Sequence, residues 1–260
     1  MRLPIYQVDA FADRVFAGNP AAVVPLESWL PDAAMQAIAA ENNLAETAFF
    51  VRDGEGWHLR WFTPKIEVDL CGHATLASAW VISERLHPGR TRMRFASKSG
   101  PLEVARDGDV FTLDFPVRRP EPTAAPAGLA AALGKAPREV YRSVTPLLCV
   151  FDSEDDVRNL APDLGAVARL PVPSVNVTAP GRDCDFVSRH FAPARGIPED
   201  PVTGSAHCVS TPYWAKRTGR TRFVARQLSA RGGELACELR GERVLIGGRA
   251  VLYMEGTIAV

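Results

Sequence analysis

A few residues of this sequence stand where proton chemistry can be done. Glu46 lies in Asn43-Leu44-Ala45-Glu46-Thr47-Ala48-Phe49-Phe50, at the head of an apolar run. A carboxylate there is expensive to bury without a partner, and partial burial would raise its pKa towards that of a general acid/base. The alternative is a solvated strand-end glutamate, the commoner fate of a lone Glu. His73 follows Gly72 at an expected helix start, where the helix dipole favours neutral imidazole over imidazolium. A capping or core histidine fits the same position. Cys71 shares that helix start, where a thiol pKa can fall and a thiolate can act as nucleophile or base. The small buried hydrophobe is the other reading.

Two further segments carry candidates. Asp200 lies in Glu199-Asp200-Pro201-Val202-Thr203-Gly204-Ser205-Ala206-His207. It is read as a second acid/base or an orienting group, or as ordinary turn chemistry. In Gln227-Leu228-Ser229-Ala230-Arg231-Gly232-Gly233, an Arg beside Gly-Gly lets backbone and guanidinium both approach an anion; a hairpin turn with a surface Arg is the alternative. Cys71-x-His73 suggests a metal, but His207-Cys208 is the only other such cluster, with no Cys-x-x-Cys or His-x-x-x-His. No metal is expected. Dinucleotide, P-loop and nucleophile-elbow motifs are absent, as is any lysine in a pyridoxal setting, and no cofactor is expected.

The elements that must position these residues follow from patterning. Residues 3–11 and 21–25 read as strands around the Gly18-Asn19-Pro20 turn. A helix opens at Pro31 and stops at Asn42-Asn43. Strands are expected over 47–52 and 57–62, joined by Asp53-Gly54-Glu55-Gly56. Residues 72–82 are small or apolar on every side, which marks a helix buried all round. Strands follow at 93–95, 102–105 and 110–115. Residues 118–127, rich in Pro and Ala, read as a linker. Beyond it lie helices over 127–133 and 155–159, and strands over 144–151, 172–177 and 185–189.

The chain also repeats itself. Phe62-Thr63-Pro64, an acidic turn with Glu67, then Gly72-His73-Ala74 opening a helix with Trp80 is matched by Phe191-Ala192-Pro193, Glu199-Asp200, then Gly204-Ser205-Ala206 opening a helix with Trp214. If the match is not a coincidence of common residues, two similar halves face each other. Two helix N-termini, each with unsatisfied N–H groups, would then converge on a carboxylate or other anion in a cleft.

The whole chain sets the bounds. Its 260 residues, 47% hydrophobic and 23% charged, suit one large globular domain or two small ones. Lys+Arg 30 balances Asp+Glu 30, so no global field draws it to nucleic acid or anionic lipid, and neither is an expected partner. The start lacks an apolar signal core and no run reaches the roughly 20 apolar residues that span a bilayer. Five scattered cysteines are not a disulfide framework, and the expected compartment is the reducing cytoplasm.

Together the motifs resemble the PhzF family of phenazine-biosynthesis-like proteins. The carriers are Val8-Asp9-Ala10-Phe11, Phe16 to Val23, Asn43 to Phe49, Phe62-Thr63-Pro64 with Cys71 to Leu76, Glu199 to His207, and Gln227 to Gly233. The resemblance implies an α+β, diaminopimelate epimerase-like fold: two pseudo-symmetric halves, each a mixed sheet wrapped around a central helix. The halves are expected at 1–117 with 249–260 and at 118–248, the site lying between them and the last strand crossing back to the first half. It implies Glu46 as the acid/base of an isomerase acting on a small anionic metabolite. His73, Asp200 and Ser205 match its site partners, Gly72 and Gly204 supply N–H groups, and Asn19 lies near the site. Ser229, Arg231 and Gly232 are further substrate-binding candidates. Members are often dimers, so a homodimer is expected. Related epimerases and racemases use two facing cysteines. Cys71 matches the first, but Asp200-Pro201-Val202-Thr203-Gly204 carries no thiol for the second and Cys208 lies well inside the expected helix, which disfavours a two-cysteine racemase. An epimerase using Cys71, and a non-catalytic module binding a metabolite or protein, are the other readings.

Overall fold

The computed structural model describes residues 1–144 and 146–260. Thr145, within the strand expected over 144–151, lies outside the described residues. The chain divides into two compact units, Met1–Asp114 with Gly247–Val260, and Phe115–Ile246.

The first unit runs β1 (Arg2–Ala10), β2 (Asn19–Leu26), α1 (Asp32–Asn42), β3 (Glu46–Asp53), β4 (Gly56–Phe62), β5 (Glu67–Val68), α2 (Gly72–Val81), β6 (Arg92–Ala96), β7 (Leu102–Asp107) and β8 (Val110–Pro116). The β1–β2 turn depends on Gly18: its φ is +65° and a Cβ there would lie 2.2 Å from the Ala10 carbonyl oxygen. Helix α1 ends where Asn43 turns left-handed, its N–H closing on the Ala39 carbonyl. Asp53↔Gly56 closes the β3–β4 hairpin. Helix α2 buries every residue except Gly72 and Trp80, and packs on β1, β2, β3 and β7. Its interior hydroxyls are satisfied locally: Thr75 donates to the Cys71 carbonyl and Ser78 to that of Ala74. A second apolar cluster, with Met35, Ile38, Phe49 and Phe62, fills the space under α1.

The second unit contains β9 (Glu121–Pro122), α3 (Leu129–Leu133), β10 (Glu139–Arg142), β11 (Leu147–Val150), α4 (Glu154–Arg158), α5 (Leu164–Ala168), β12 (Val175–Pro180), β13 (Phe186–Ala192), β14 (Ile197–Asp200), α6 (Gly204–Thr218), β15 (Arg222–Gln227), β16 (Gly233–Arg240) and β17 (Arg243–Gly248). Strand β18 (Ala250–Ala259) belongs to the first unit, antiparallel to β1. Helix α6 is buried from Ala206 to Ala215. Ser210 accepts from Asn176, the Trp214 indole N–H donates to Thr178, and Phe186 stacks on His207 and Trp214.

Strand pairing repeats step for step. In the first unit β1–β2 is antiparallel, β2–β3 parallel, β3–β4 and β4–β5 antiparallel, β4–β6 parallel and β6–β7 antiparallel. In the second, β10–β11, β11–β12, β12–β13, β13–β14, β13–β15 and β15–β16 follow the same order and senses. Each unit is a mixed sheet around one buried helix, α2 or α6. Each parallel step is bridged by helix, as parallel strands require.

Three expectations change. The two acidic turns are short strands, β5 and β14, each folded back on its predecessor. The Pro/Ala-rich linker contains β9, paired with β10. Strands β10, β15, β16 and β17 and helix α5 were not expected; β10 and α5 are too short to carry a period.

Candidate functional site

In the first unit, three of the expected residues meet. Glu46 is the first residue of β3, opposite Ala21 of β2, and Asn19, the buried first residue of β2, lies two positions earlier. Cys71 is the N-cap of α2, and Gly72 and His73 open its first turn. His73 Nε2 is 3.2 Å from Glu46 Oε2, and the Cys71 sulfur is 3.5 Å from His73 Nδ1. Glu46, Cys71 and His73 are 9%, 6% and 6% exposed. The His73 contact is close without being aligned as a hydrogen bond, and Glu46 Oε2 is buried with no hydrogen-bond donor among the described residues. An unsatisfied buried carboxylate oxygen is costly, and its presence calls for a proton from elsewhere.

Two expectations about charge are corrected. Burial, and then the Glu46 charge, push the Cys71 thiol up to about 11, against the pull of His73. It is a thiol at neutral pH, because these outweigh the helix start. Burial also works against a charged His73, but the Cys71 sulfur and the Glu46 carboxylate prevail and hold it well above its ordinary value. That direction is opposite to the one expected from the dipole alone.

In the second unit, Asp200 ends β14 and its carboxylate accepts from the Thr203 hydroxyl. Gln227, fully buried, clamps this loop: its oxygen accepts from the Thr203 N–H at 2.8 Å and its amide donates to the Asp200 carbonyl at 2.6 Å. Ser229 donates to the Pro201 carbonyl at 2.8 Å and accepts from the Gly232 N–H at 3.1 Å. Arg231 sits in the same β15–β16 turn, half-buried. Thr203 is the N-cap of α6, followed by Gly204 and the exposed Ser205. Thr-Gly-Ser thus stands where the first unit has Cys-Gly-His. Val175 pairs with Phe191 as Thr47 pairs with Phe62, so the counterpart of Glu46 in the second unit is Ser174.

Sequence reasoning passed over Thr203 and Gln227 as functional. The Asp-x-x-Thr spacing of a side-chain-closed turn was a usable signal for Thr203; nothing local marks Gln227. It also missed a duplicated clamp. Arg60 of β4 forms a bidentate pair with Glu67 of β5 at 2.8 and 2.9 Å, and Arg189 of β13 does the same with Glu199 of β14 at 2.8 and 2.9 Å. Each guanidinium also covers the ring two residues on, Phe62 at 5.1 Å and Phe191 at 5.0 Å. These clamps fix the short strands that lead to Cys71 and Thr203.

Two other histidines are core groups. Burial pushes His207 down to about 4, partly offset by its bond to the Thr203 carbonyl. Burial first, then Arg195, lowers His190 to about 3. The unfolded chain takes up these protons below pH ~6.5 and the folded protein does not. Stability is therefore fully present above that pH and falls towards pH 4, by about 1.4 kcal/mol per pH unit for each histidine. His73, with a raised value, costs stability only as pH rises above ~6.5, so it does not mask the effect. Thermal melts between pH 7 and 5 should show the fall, and a flat profile would contradict it. No helix among the described residues is long and apolar enough to cross a membrane.

The comparisons with known proteins agree with this architecture. A Pseudomonas aeruginosa protein named as an uncharacterized isomerase is 56% identical over 259 residues, covering 99% of each chain. The crystal structure of a phenazine biosynthesis protein of the PhzF family from Enterococcus faecalis is 48% identical, covers 100% of both chains and superposes with a TM-score of 0.97. A hydroxyproline epimerase from Agrobacterium vitis, 12% identical over 100% of this chain and 93% of its own, shares the fold alone, with a TM-score of 0.64. The fold is thus the α+β, epimerase-like one expected. The family described as phenazine biosynthesis-like protein, PhzC-PhzF, matches residues 8–256. With its paired mixed sheets, buried central helices and this match across nearly its whole length, the chain belongs to the phenazine biosynthesis-like PhzF family.

Proposed function

We propose that the protein is an isomerase that moves a proton, and with it a double bond, in a small carboxylate-bearing metabolite, with Glu46 as the acid/base. The observation that carries this reading is the buried Glu46 oxygen with no donor among the described residues, held 3.2 Å from the His73 ring. In the proposed step Glu46 accepts a proton from an acidified carbon. The electron pair moves along the conjugated system, and Glu46 returns the proton to a farther carbon while His73 holds the carboxylate in place. Atoms and charge balance without an oxidant or cofactor. We assign the N–H groups at the start of α2, beside Glu46 and His73, to the anionic group of the substrate, and take the start of α6 with Ser205 as a second anion-binding candidate. Neither helix start has a side-chain cap, and a Cβ at Gly204 would meet open space, so packing does not require glycine there. The relatives' name, isomerase, points the same way.

The epimerase reading through Cys71 has less support, since its thiol is pushed up to about 11 and Thr203 replaces a second cysteine. The test is incubation with unsaturated cyclic carboxylates and with amino acids in D₂O, followed by NMR. The proposal expects deuterium at a new carbon together with a shifted double bond. Deuterium only at an inverted stereocentre would favour an epimerase.

A further inference from the structure

We propose that Glu46, Cys71 and His73 also form a binding site for a borderline-soft divalent cation such as Zn²⁺, and that the ion competes with the proton chemistry of the same residues. One carboxylate, one thiol and one imidazole offer ligand atoms that all lie within 4.8 Å of one another. Zinc bonds of about 2.0–2.3 Å at tetrahedral angles place donor atoms roughly 3.3–3.7 Å apart. The Cys71 sulfur is 3.5 Å from His73 Nδ1 and 4.0 Å from Nε2, and Nε2 is 3.2 Å from Glu46 Oε2. One ring nitrogen must serve both neighbours, and with Nε2 at 4.0 Å from the sulfur and 3.2 Å from the carboxylate, a turn of the His73 ring and the Cys71 side chain completes three protein ligands. The fourth position falls to water.

The independent sign of a missing ligand is Glu46 Oε2 itself, buried and without a hydrogen-bond donor among the described residues. The set is chemically selective. A thiol with an imidazole favours zinc, cobalt or cadmium over magnesium or calcium. A search of the sequence for paired Cys or His ligands could not find it, because the third ligand comes from a different strand. On binding, the Cys71 sulfur–hydrogen bond and the N–H bond at the ligating His73 nitrogen break, the sulfur–metal and nitrogen–metal bonds form, and both protons leave to solvent. The consequence for turnover rests on the reading of Glu46 as acid/base; the binding does not.

Cobalt makes the site visible without any substrate. Adding Co²⁺ to the protein should produce a thiolate-to-cobalt charge-transfer band and the intense visible bands of a four-coordinate site. Zn²⁺ should displace them and Mg²⁺ should not. The Cys71→Ser variant should lose the charge-transfer band, and Glu46→Gln should weaken binding at least about tenfold. Circular dichroism establishes that both variants are folded. Absence of the bands at excess Co²⁺, or their persistence in folded Cys71→Ser, overturns the proposal whatever the outcome of the isomerase assay. Bands in the absence of detectable isomerisation would support the metal site and count only against the isomerase.

Discussion

Replacing Glu46 by Gln is expected to lower turnover by about 10²–10⁴-fold while leaving the fold intact. That loss corresponds to roughly 3–5 kcal/mol of transition-state stabilisation at 1.36 kcal/mol per decade. Glutamine has the same shape and retains an oxygen acceptor, but it cannot take up and return a proton. The variant also tests the contact with His73. His73 stands well above its ordinary value partly because Glu46 faces it at 3.2 Å. Removing that charge leaves burial to act with less opposition, so the ring should titrate at lower pH, as read from its NMR shifts. A variant with undiminished turnover would remove Glu46 from the mechanism.

The second large effect concerns stability. Arg189→Ala should cost about 3–5 kcal/mol, because it strips one partner from a largely buried ion pair and leaves the Glu199 carboxylate uncompensated. Arg189 is 13% exposed in its side chain and also donates to the Leu160 and Val157 carbonyls at 2.8 and 3.2 Å, at the end of α4. Arg60→Ala should cost less. Its partner Glu67 keeps Lys98 at 2.6 Å, and Arg60 makes no such carbonyl contacts. Lysine should not rescue Arg189, since a single ammonium cannot reproduce the bidentate fork. Urea unfolding of the three variants checks the order. Equal losses at the two arginines would mean that the carbonyl contacts contribute nothing.

Much of this architecture is legible in the sequence, for identifiable reasons. The helix after Gly72 is apolar all round, and only a central position satisfies such a surface. The Phe-x-Pro and Gly repeats announce the duplication because each half must bury its own helix in its own sheet. Strands β15 to β17 escaped because charged residues interrupt or flank their apolar runs, and the other missed pieces are short. Strands β5 and β14 are acidic and look like turns, yet Glu67 and Glu199 point at arginines that lie close only after folding. The charges of the site were misjudged for the same reason. The helix dipole is visible locally, but the contacts of Cys71 and Glu46 with His73 exist only after folding, and they raise His73 against the dipole. The second unit has Ser174 at the position of Glu46, so the two units share a frame and not a base.

The central claim is that a carboxylate, not a thiol, carries the proton. Deuterium uptake from D₂O by an accepted substrate, measured side by side for Glu46→Gln and Cys71→Ala, tests it most directly. The account predicts that Cys71→Ala exchanges within about tenfold of the unaltered protein and that Glu46→Gln loses at least about 100-fold. Loss of exchange in Cys71→Ala with retention in Glu46→Gln would contradict it.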